Sequence, residues 1–193
     1  MNKKKLLCLF LVSLLPIIGC STSTLAANKP VAHQLSANAS TNGISYYFSQ
    51  ENQQPDVQLI NVINSANNTL DIAIYSITKP NIVNAIIAAE NRGVSVRIIT
   101  DKIESNTASE SQELSALQNA GIPIEINTHS GLMHMKVTIA DNSIVTTGSY
   151  NYTNNATYEN DEVLLVINNP TIAQNWDTEF NNMWNDTTRF TSY

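Results

Sequence analysis

From Ile44 onward, short apolar runs alternate with longer segments in which apolar residues return every three or four positions. ISYYFS, from Ile44, reads as a strand, and VQLINVINSA, from Val57, as an amphipathic helix that turns Leu59, Val62 and Ile63 inward. TLDIAIYSI, from Thr69, is almost continuously apolar, the pattern of a strand buried on both faces. Pro80, just ahead of NIVNAIIAAENRG, suits a helix's first turn, and Gly93 suits its C-terminal cap. VSVRIITD repeats the buried-strand pattern, SQELSALQNAG is a helix closed by Gly121, and IPIEIN is a short strand after it. A hairpin and the run VLLVINN complete the sheet, and Ile172, Trp176, Phe180 and Trp184 mark a core-facing stripe on a final helix. Strand–helix alternation followed by a hairpin predicts an α/β fold, a mixed β-sheet flanked by helices on both faces.

The first 43 residues do not share this pattern. Lys3, Lys4 and Lys5 precede an apolar run over residues 6–18, too short and wrongly flanked for a lasting membrane span and typical of a secretory signal peptide. Ile17-Ile18-Gly19-Cys20 resembles a bacterial lipobox, which would make Cys20 an acylated first residue; ordinary cleavage after Ala26 or Ala27 is the alternative. The expected organisation is a signal peptide over 1–19, a small-residue, polar tether over 20–43, and one catalytic domain over 44–193. Cys8 leaves with the signal peptide, so Cys20 has no disulfide partner and stability must come from the core. The expected location is outside the cytoplasm, in the periplasm or held to the outer membrane by the lipid, or soluble if Cys20 is cut away.

Candidate chemistry concentrates in HMKVTIADNSIVTTGSYNYTNNATYENDE, from His134 to Glu162. Side chains alternate along a strand, so His134 and Lys136 share a face, as do Ser149 and Asn151. Asp141-Asn142 reads as a two-residue hairpin loop, because both residue types tolerate positive φ. That loop pairs Ala140 with Ser143, Lys136 with Thr147 and His134 with Ser149. One face then carries His134, Lys136, Thr147, Ser149 and Asn151, a set of donors suited to a ligand with several acceptor oxygens. Each residue alone has an ordinary explanation; the arrangement is harder to dismiss.

The pattern HxKxxxxD (His134, Lys136, Asp141) followed by GSxN (Gly148, Ser149, Asn151) resembles the signature of the phospholipase D superfamily, and most of all its short bacterial endonucleases with one motif per chain. The similarity extends from about residue 44 to 189 and takes in AIYSIT, NAIIAAENRGVSVRIITD and Asn160-Asp161-Glu162. It implies phosphodiester hydrolysis through a phosphohistidine, with His134 of one subunit as nucleophile and His134 of the other protonating the leaving oxygen. It further implies that Lys136 and Asn151 hold the non-bridging oxygens, that Ser149 adds a hydrogen bond, and that Glu162 orients the His134 ring. Asp141, at the turn, is expected to be structural. One motif per chain implies a homodimer with its site on the two-fold axis.

No metal or other cofactor is expected. His33 lies in the tether, His129 and His134 have no ligand-type spacing, and Cys ligands are missing. His129 reads as a loop residue, and Asp101 as a strand-terminal turn or cap residue.

Charge complicates the substrate. The formal net charge is −6, and loss of Lys3, Lys4 and Lys5 takes it to −9. Nucleic-acid binding normally draws on basic surface, so DNA or RNA would have to rely on Lys79, Arg92, Arg97, Lys102 and Lys136 gathering near the cleft. A nuclease remains the leading expectation. A phospholipase D suits the acidic surface and the anchor. A nucleic-acid-binding module without turnover is the third reading, disfavoured because no part of the motif is missing.

Overall fold

From Ile44 onward, each short apolar run becomes a strand of a single mixed sheet. The computed structural model describes residues 42–193, so the expected signal peptide, Cys20 and all but the last two residues of the expected tether lie outside the described residues. The strands are β1 (Ile44–Phe48), β2 (Thr69–Ile74), β3 (Ser95–Thr100), β4 (Ile124–Asn127), β5 (Lys136–Ala140), β6 (Ile144–Gly148), β7 (Val163–Asn168) and β8 (Phe190–Ser192). Their order in the sheet is β1-β7-β6-β5-β2-β3-β4-β8. β2, β3 and β4 run parallel to one another, and every other pairing is antiparallel.

Period-2 alternation sorts the strand residues between two cores. Leu70, Ile72, Ile74, Val96 and Ile98 face α1 (Pro55–Ser65), α2 (Pro80–Asn91) and α3 (Ala108–Asn119), whose Leu59, Ile63, Ile82, Ile86, Leu114 and Leu117 are fully buried. Ala73, Ile99, Val137, Ile139 and Val145 face α5 (Pro170–Trp184) on the opposite side. Helices therefore cover both faces, as the patterning predicts. Truncating Ile72 or Ile98 to Ala would cost about 2–5 kcal/mol, because both are fully buried between sheet and helix. Gly93 and Gly121 end their helices at φ +90°, a left-handed conformation that favours glycine.

The structure departs from the sequence expectation in three places. The hairpin register is shifted by one: Thr138 pairs with Thr146 and Ala140 with Ile144, so Ser143 belongs to the loop and Lys136 falls opposite Gly148. Asp141 and Asn142 do take positive φ (52° and 50°), but the loop spans three residues rather than two. Thr147 accordingly lies on the face opposite Lys136, beside the α5 core. Second, the stripe on α5 is only partly inward. Four-residue steps overshoot a helical turn by about 40° each, so the line drifts around the helix. Ala173, Phe180 and Met183 are buried while Ile172, Trp176 and Trp184 are half-buried. Third, two short elements carry no clear pattern: α4 (Asn154–Tyr158), capped by the Thr153 hydroxyl accepting from the Ala156 N–H, and the edge strand β8 against β4.

Candidate active site

Topology brings the motif together at one end of the sheet. β2, β3 and β6 end there, while β5 and β7, antiparallel to their neighbours, begin there. Glu162 just ahead of β7, Ser149 just after β6, Lys136 opening β5, Tyr75 just after β2 and Asp101 just after β3 therefore stand on adjacent strands. The ends of strands in an open α/β sheet leave room for a ligand, because helices cover only the faces.

His134 lies two residues ahead of β5, in extended chain that continues the pairing through the Tyr75 N–H donating to the Met135 carbonyl (2.8 Å). Its side chain is exposed, whereas Lys136 is buried. Lys136 Nζ sits 3.0 Å from His134 Nδ1 and 3.1 Å from Nε2, and donates to the His134 carbonyl at 2.9 Å. An ammonium has only hydrogens to offer, so the ring nitrogen it donates to presents a lone pair. Burial pulls the Lys136 ammonium below the usual lysine range, and the Glu162 carboxylate pushes it back up. The Tyr75 ring completes the cluster, tilted 53° against the imidazole with centroids 4.5 Å apart and 4.9 Å from Lys136 Nζ.

Gly148 is required by backbone contact. Its φ is +137°, and a Cβ there would collide with the Val163 carbonyl. This close approach lets the chain continue into Ser149, whose N–H donates to the Val163 carbonyl at 3.1 Å and whose hydroxyl accepts from the Val163 N–H at 3.2 Å. Ser149 is exposed. Asn151 is followed by a firmly held residue: the Tyr152 N–H donates to the Ser76 carbonyl, the Thr78 and Lys79 N–H groups donate to the Tyr152 carbonyl, and the Tyr152 hydroxyl bonds Thr138 Oγ1 at 2.6 Å. Asn151 Oδ1 is itself buried and has no hydrogen-bond partner.

The remaining expected residues divide. No hydrogen bond joins Glu162 to His134. Glu162 Oε1 accepts from Asn160 Nδ2 at 3.1 Å, and Lys136 Nζ holds the imidazole nitrogens. Asp141 sits at the far end of β5, where its carboxylate accepts from the N–H groups of Asn67 (2.9 Å), Asn68 (2.7 Å) and Thr69 (2.9 Å). Burial alone would raise its pKa, but these backbone donors prevail and hold it below the usual carboxylate value. Asp101 does act as a cap, accepting from Ile103 N–H (2.8 Å) and Glu104 N–H (3.3 Å); it also takes the Met133 N–H at 2.8 Å. His129 packs edge-on against Phe190, centroids 5.9 Å apart.

The other cations are each engaged with partners of their own. Lys79 is buried against Asn154, Tyr158 and Asp56; Arg92 caps the carbonyls of Ile63, Asn64 and Ala66. Arg97 forms a two-point bond with Asp71 on the α5 face, and Lys102 donates to the carbonyls of Thr128 and His129. Among the described residues, no group of three or more His, Cys, Asp or Glu side chains is placed to hold a metal ion, and no helix is long and apolar enough to cross a membrane.

The sequence reading missed Tyr75 and Glu104. Tyr75 lies in AIYSIT, at the end of a buried strand, and its position after that strand is the one available signal.

Residues 59–184 match the family model described as "Cardiolipin synthase, PLD-like domain". Among named proteins, the chain is 30% identical over 129 residues to the mitochondrial cardiolipin hydrolase of Xenopus tropicalis, covering 67% of this chain. It is 35% identical over 122 residues to a phospholipase D of Rickettsia conorii, covering 61% of this chain. It spans 60% of the length of each of those relatives. Among solved structures, Nuc of Salmonella typhimurium, a phospholipase D family member, superposes with a TM-score of 0.72 at 31% identity, over 78% of this chain and 97% of that one. NucT from Helicobacter pylori follows with a TM-score of 0.68 at 28% identity, over 73% and 94% respectively. With the family model spanning most of the described domain and nearly all of the Nuc fold reproduced in it, the chain belongs to the phospholipase D superfamily.

Proposed function

We propose that this chain hydrolyses phosphodiesters of nucleic acid without a metal ion, through a phosphohistidine at His134, in a site completed by a second copy of the chain. The observation that carries the reading is the Lys136 ammonium 3.0 Å from a ring nitrogen of an exposed histidine. It sets a positive charge beside the candidate nucleophile, where a phosphate would dock.

In the proposed reaction a His134 nitrogen attacks phosphorus and a P–O ester bond breaks. The leaving oxygen takes a proton from His134 of the partner subunit. Water then attacks the phosphohistidine, gives its proton to His134 of the partner subunit, and releases a phosphomonoester with His134 restored. Lys136 and Asn151, whose side-chain oxygen has no protein partner, hold the non-bridging oxygens, an amide flip offering either end of Asn151. Ser149, which is exposed, adds a hydrogen bond, and the Glu162 carboxylate favours the charged form of Lys136 against the effect of burial. The match to almost the whole length of Nuc and NucT supports the short, single-motif form, which requires the second copy.

A second reading, a phospholipid phosphodiesterase, is favoured by the names of the cardiolipin hydrolase and phospholipase D relatives and by the net charge of −6. Plasmid DNA and phosphatidylcholine vesicles, assayed side by side in excess EDTA, separate the two. Nicked and linear plasmid with intact lipid is expected. Lipid turnover with intact plasmid would transfer the site to the second reading, and activity lost to chelator and restored by Zn²⁺ or Mg²⁺ would contradict the two-histidine chemistry. We also propose that the protein is exported and anchored through Cys20. Cys20→Ser should then move it from the membrane to the soluble fraction, and an unchanged distribution would favour cleavage at Ala26 or Ala27.

A further inference from the structure

The candidate nucleophile is an exposed side chain on extended chain, and such a side chain samples several rotamers unless something restrains it. Lys136 meets its nitrogens through the single Nζ at the end of its side chain. The rigid contact comes from Tyr75, whose ring lies 4.5 Å from the imidazole, centroid to centroid.

Tyr75 is restrained in turn. Its hydroxyl donates to Glu104 Oε1 at 2.9 Å, and Glu104 opens a short 3-10 turn, Glu104–Asn106. Asp101, fully buried, anchors that turn with Oδ1, which accepts from the N–H groups of Ile103 (2.8 Å) and Glu104 (3.3 Å). Its Oδ2 reaches the other way and accepts the N–H of Met133, the residue before His134, at 2.8 Å. The contacts close on themselves: Asp101 holds the backbone entering His134 and the backbone of Glu104, Glu104 holds Tyr75, and Tyr75 packs on the His134 ring.

We propose that Tyr75 is the positioning residue for the His134 imidazole, with Glu104 as its tether and Asp101 as the common anchor of ring and backbone. The inference rests on His134 being the nucleophile. Tyr75 touches no reacting atom; it acts through His134. The hydrogen bond to Glu104, with some burial, raises the Tyr75 pKa, which keeps the phenol protonated and donating. Misplacing a nucleophile by an ångström costs on the order of a hundredfold in rate, so the arrangement has a large effect to exert.

The test uses the full chain with Tyr75→Leu and Tyr75→Phe, read in two independent ways. Proton NMR follows the ring C–H resonances of His134, assigned by their loss in His134→Ala, and steady-state kinetics uses bis(p-nitrophenyl) phosphate. Tyr75→Leu should move the His134 resonances to free-histidine positions and lower kcat about 10- to 100-fold with KM within about twofold. Tyr75→Phe keeps the ring, so it should retain most of the resonance displacement and lose only a few-fold in kcat. If Tyr75→Leu does not fold, Glu104→Leu cuts the tether and should broaden or shift the same resonances. Unchanged His134 resonances with wild-type kcat in Tyr75→Leu, or in Glu104→Leu in its place, would overturn the proposal. If the wild-type protein cleaves no phosphodiester, the proposed function fails while the resonances still decide whether Tyr75 holds the ring.

Discussion

The two ends of the β5–β6 hairpin come from one signature and behave oppositely. At the closed end the Asp141 carboxylate takes three backbone N–H groups from residues 67–69, and the Asp141 N–H donates to the Thr69 carbonyl at 3.0 Å, while the neighbouring Asn142 Oδ1 is buried without a partner. At the open end His134 and Ser149 are exposed, the buried Asn151 Oδ1 has no partner, and a buried lysine is drawn below its usual pKa. The difference assigns jobs inside the motif: Asp141 ties the hairpin to the turn between α1 and β2, and His134, Lys136, Ser149 and Asn151 are left for a ligand.

Substitutions at the two ends should therefore fail differently. The largest effect is expected for His134→Ala, which removes the nucleophile and should lower kcat by on the order of a thousandfold or more while Tm hardly moves. Retained turnover there would transfer the chemistry to another group. Lys136→Met removes charge stabilisation of the pentacoordinate phosphorus and should cost about 100- to 1,000-fold in kcat, measured on the same substrate.

Asp141→Asn should do the reverse. It keeps kcat per folded molecule but loses about 1–3 kcal/mol of stability, read from urea unfolding, because an amide cannot satisfy three backbone donors as a carboxylate does. Its pH dependence has a definite sign. The folded-state pKa lies below the unfolded value near 3.8, so the stabilisation is complete above that value and fades as pH falls through the folded-state pKa. The difference in stability between wild type and Asp141→Asn should narrow in that acidic window. A gap that stays constant down to the acid transition would mean that the carboxylate charge is not what holds the turn. The smallest expected change is none: excess EDTA should leave turnover within about twofold, since the chain's own imidazoles and ammonium supply the proposed chemistry.

The alternation of strands and helices was legible because burial imposes periods of 2 and 3.6 on residues such as Ile72, Ile98, Leu59 and Ile63. The positive φ at Asp141 and Asn142 was legible from residue type. The register was not, because the first ladder pair, Ala140 with Ile144, forms where Asp141 is held by backbone donors more than 70 residues earlier in the chain, and no local rule sees that contact. β8 escaped for a related reason: three residues with one buried side chain have no period, and only the free edge of β4 makes them a strand. Within the site, the pairing of His134 with Lys136 followed from spacing. The Tyr75 ring reaches His134 from another strand end, and the carboxylates of Glu104 and Asp101 act through Tyr75 and the Met133 N–H, so their part depends on the strand order.

The central claim is that two copies of His134 serve one reaction, and subunit mixing tests it most directly. Wild-type chains are refolded with increasing proportions of His134→Ala chains, dimers are confirmed on a sizing column, and activity is measured against the wild-type fraction. If one imidazole is nucleophile and the other is acid, a mixed dimer has lost a role, so activity follows the square of the wild-type fraction and an equal mixture keeps roughly a quarter. A straight line through roughly a half, with dimers confirmed, would mean that each His134 works alone and would contradict the shared site.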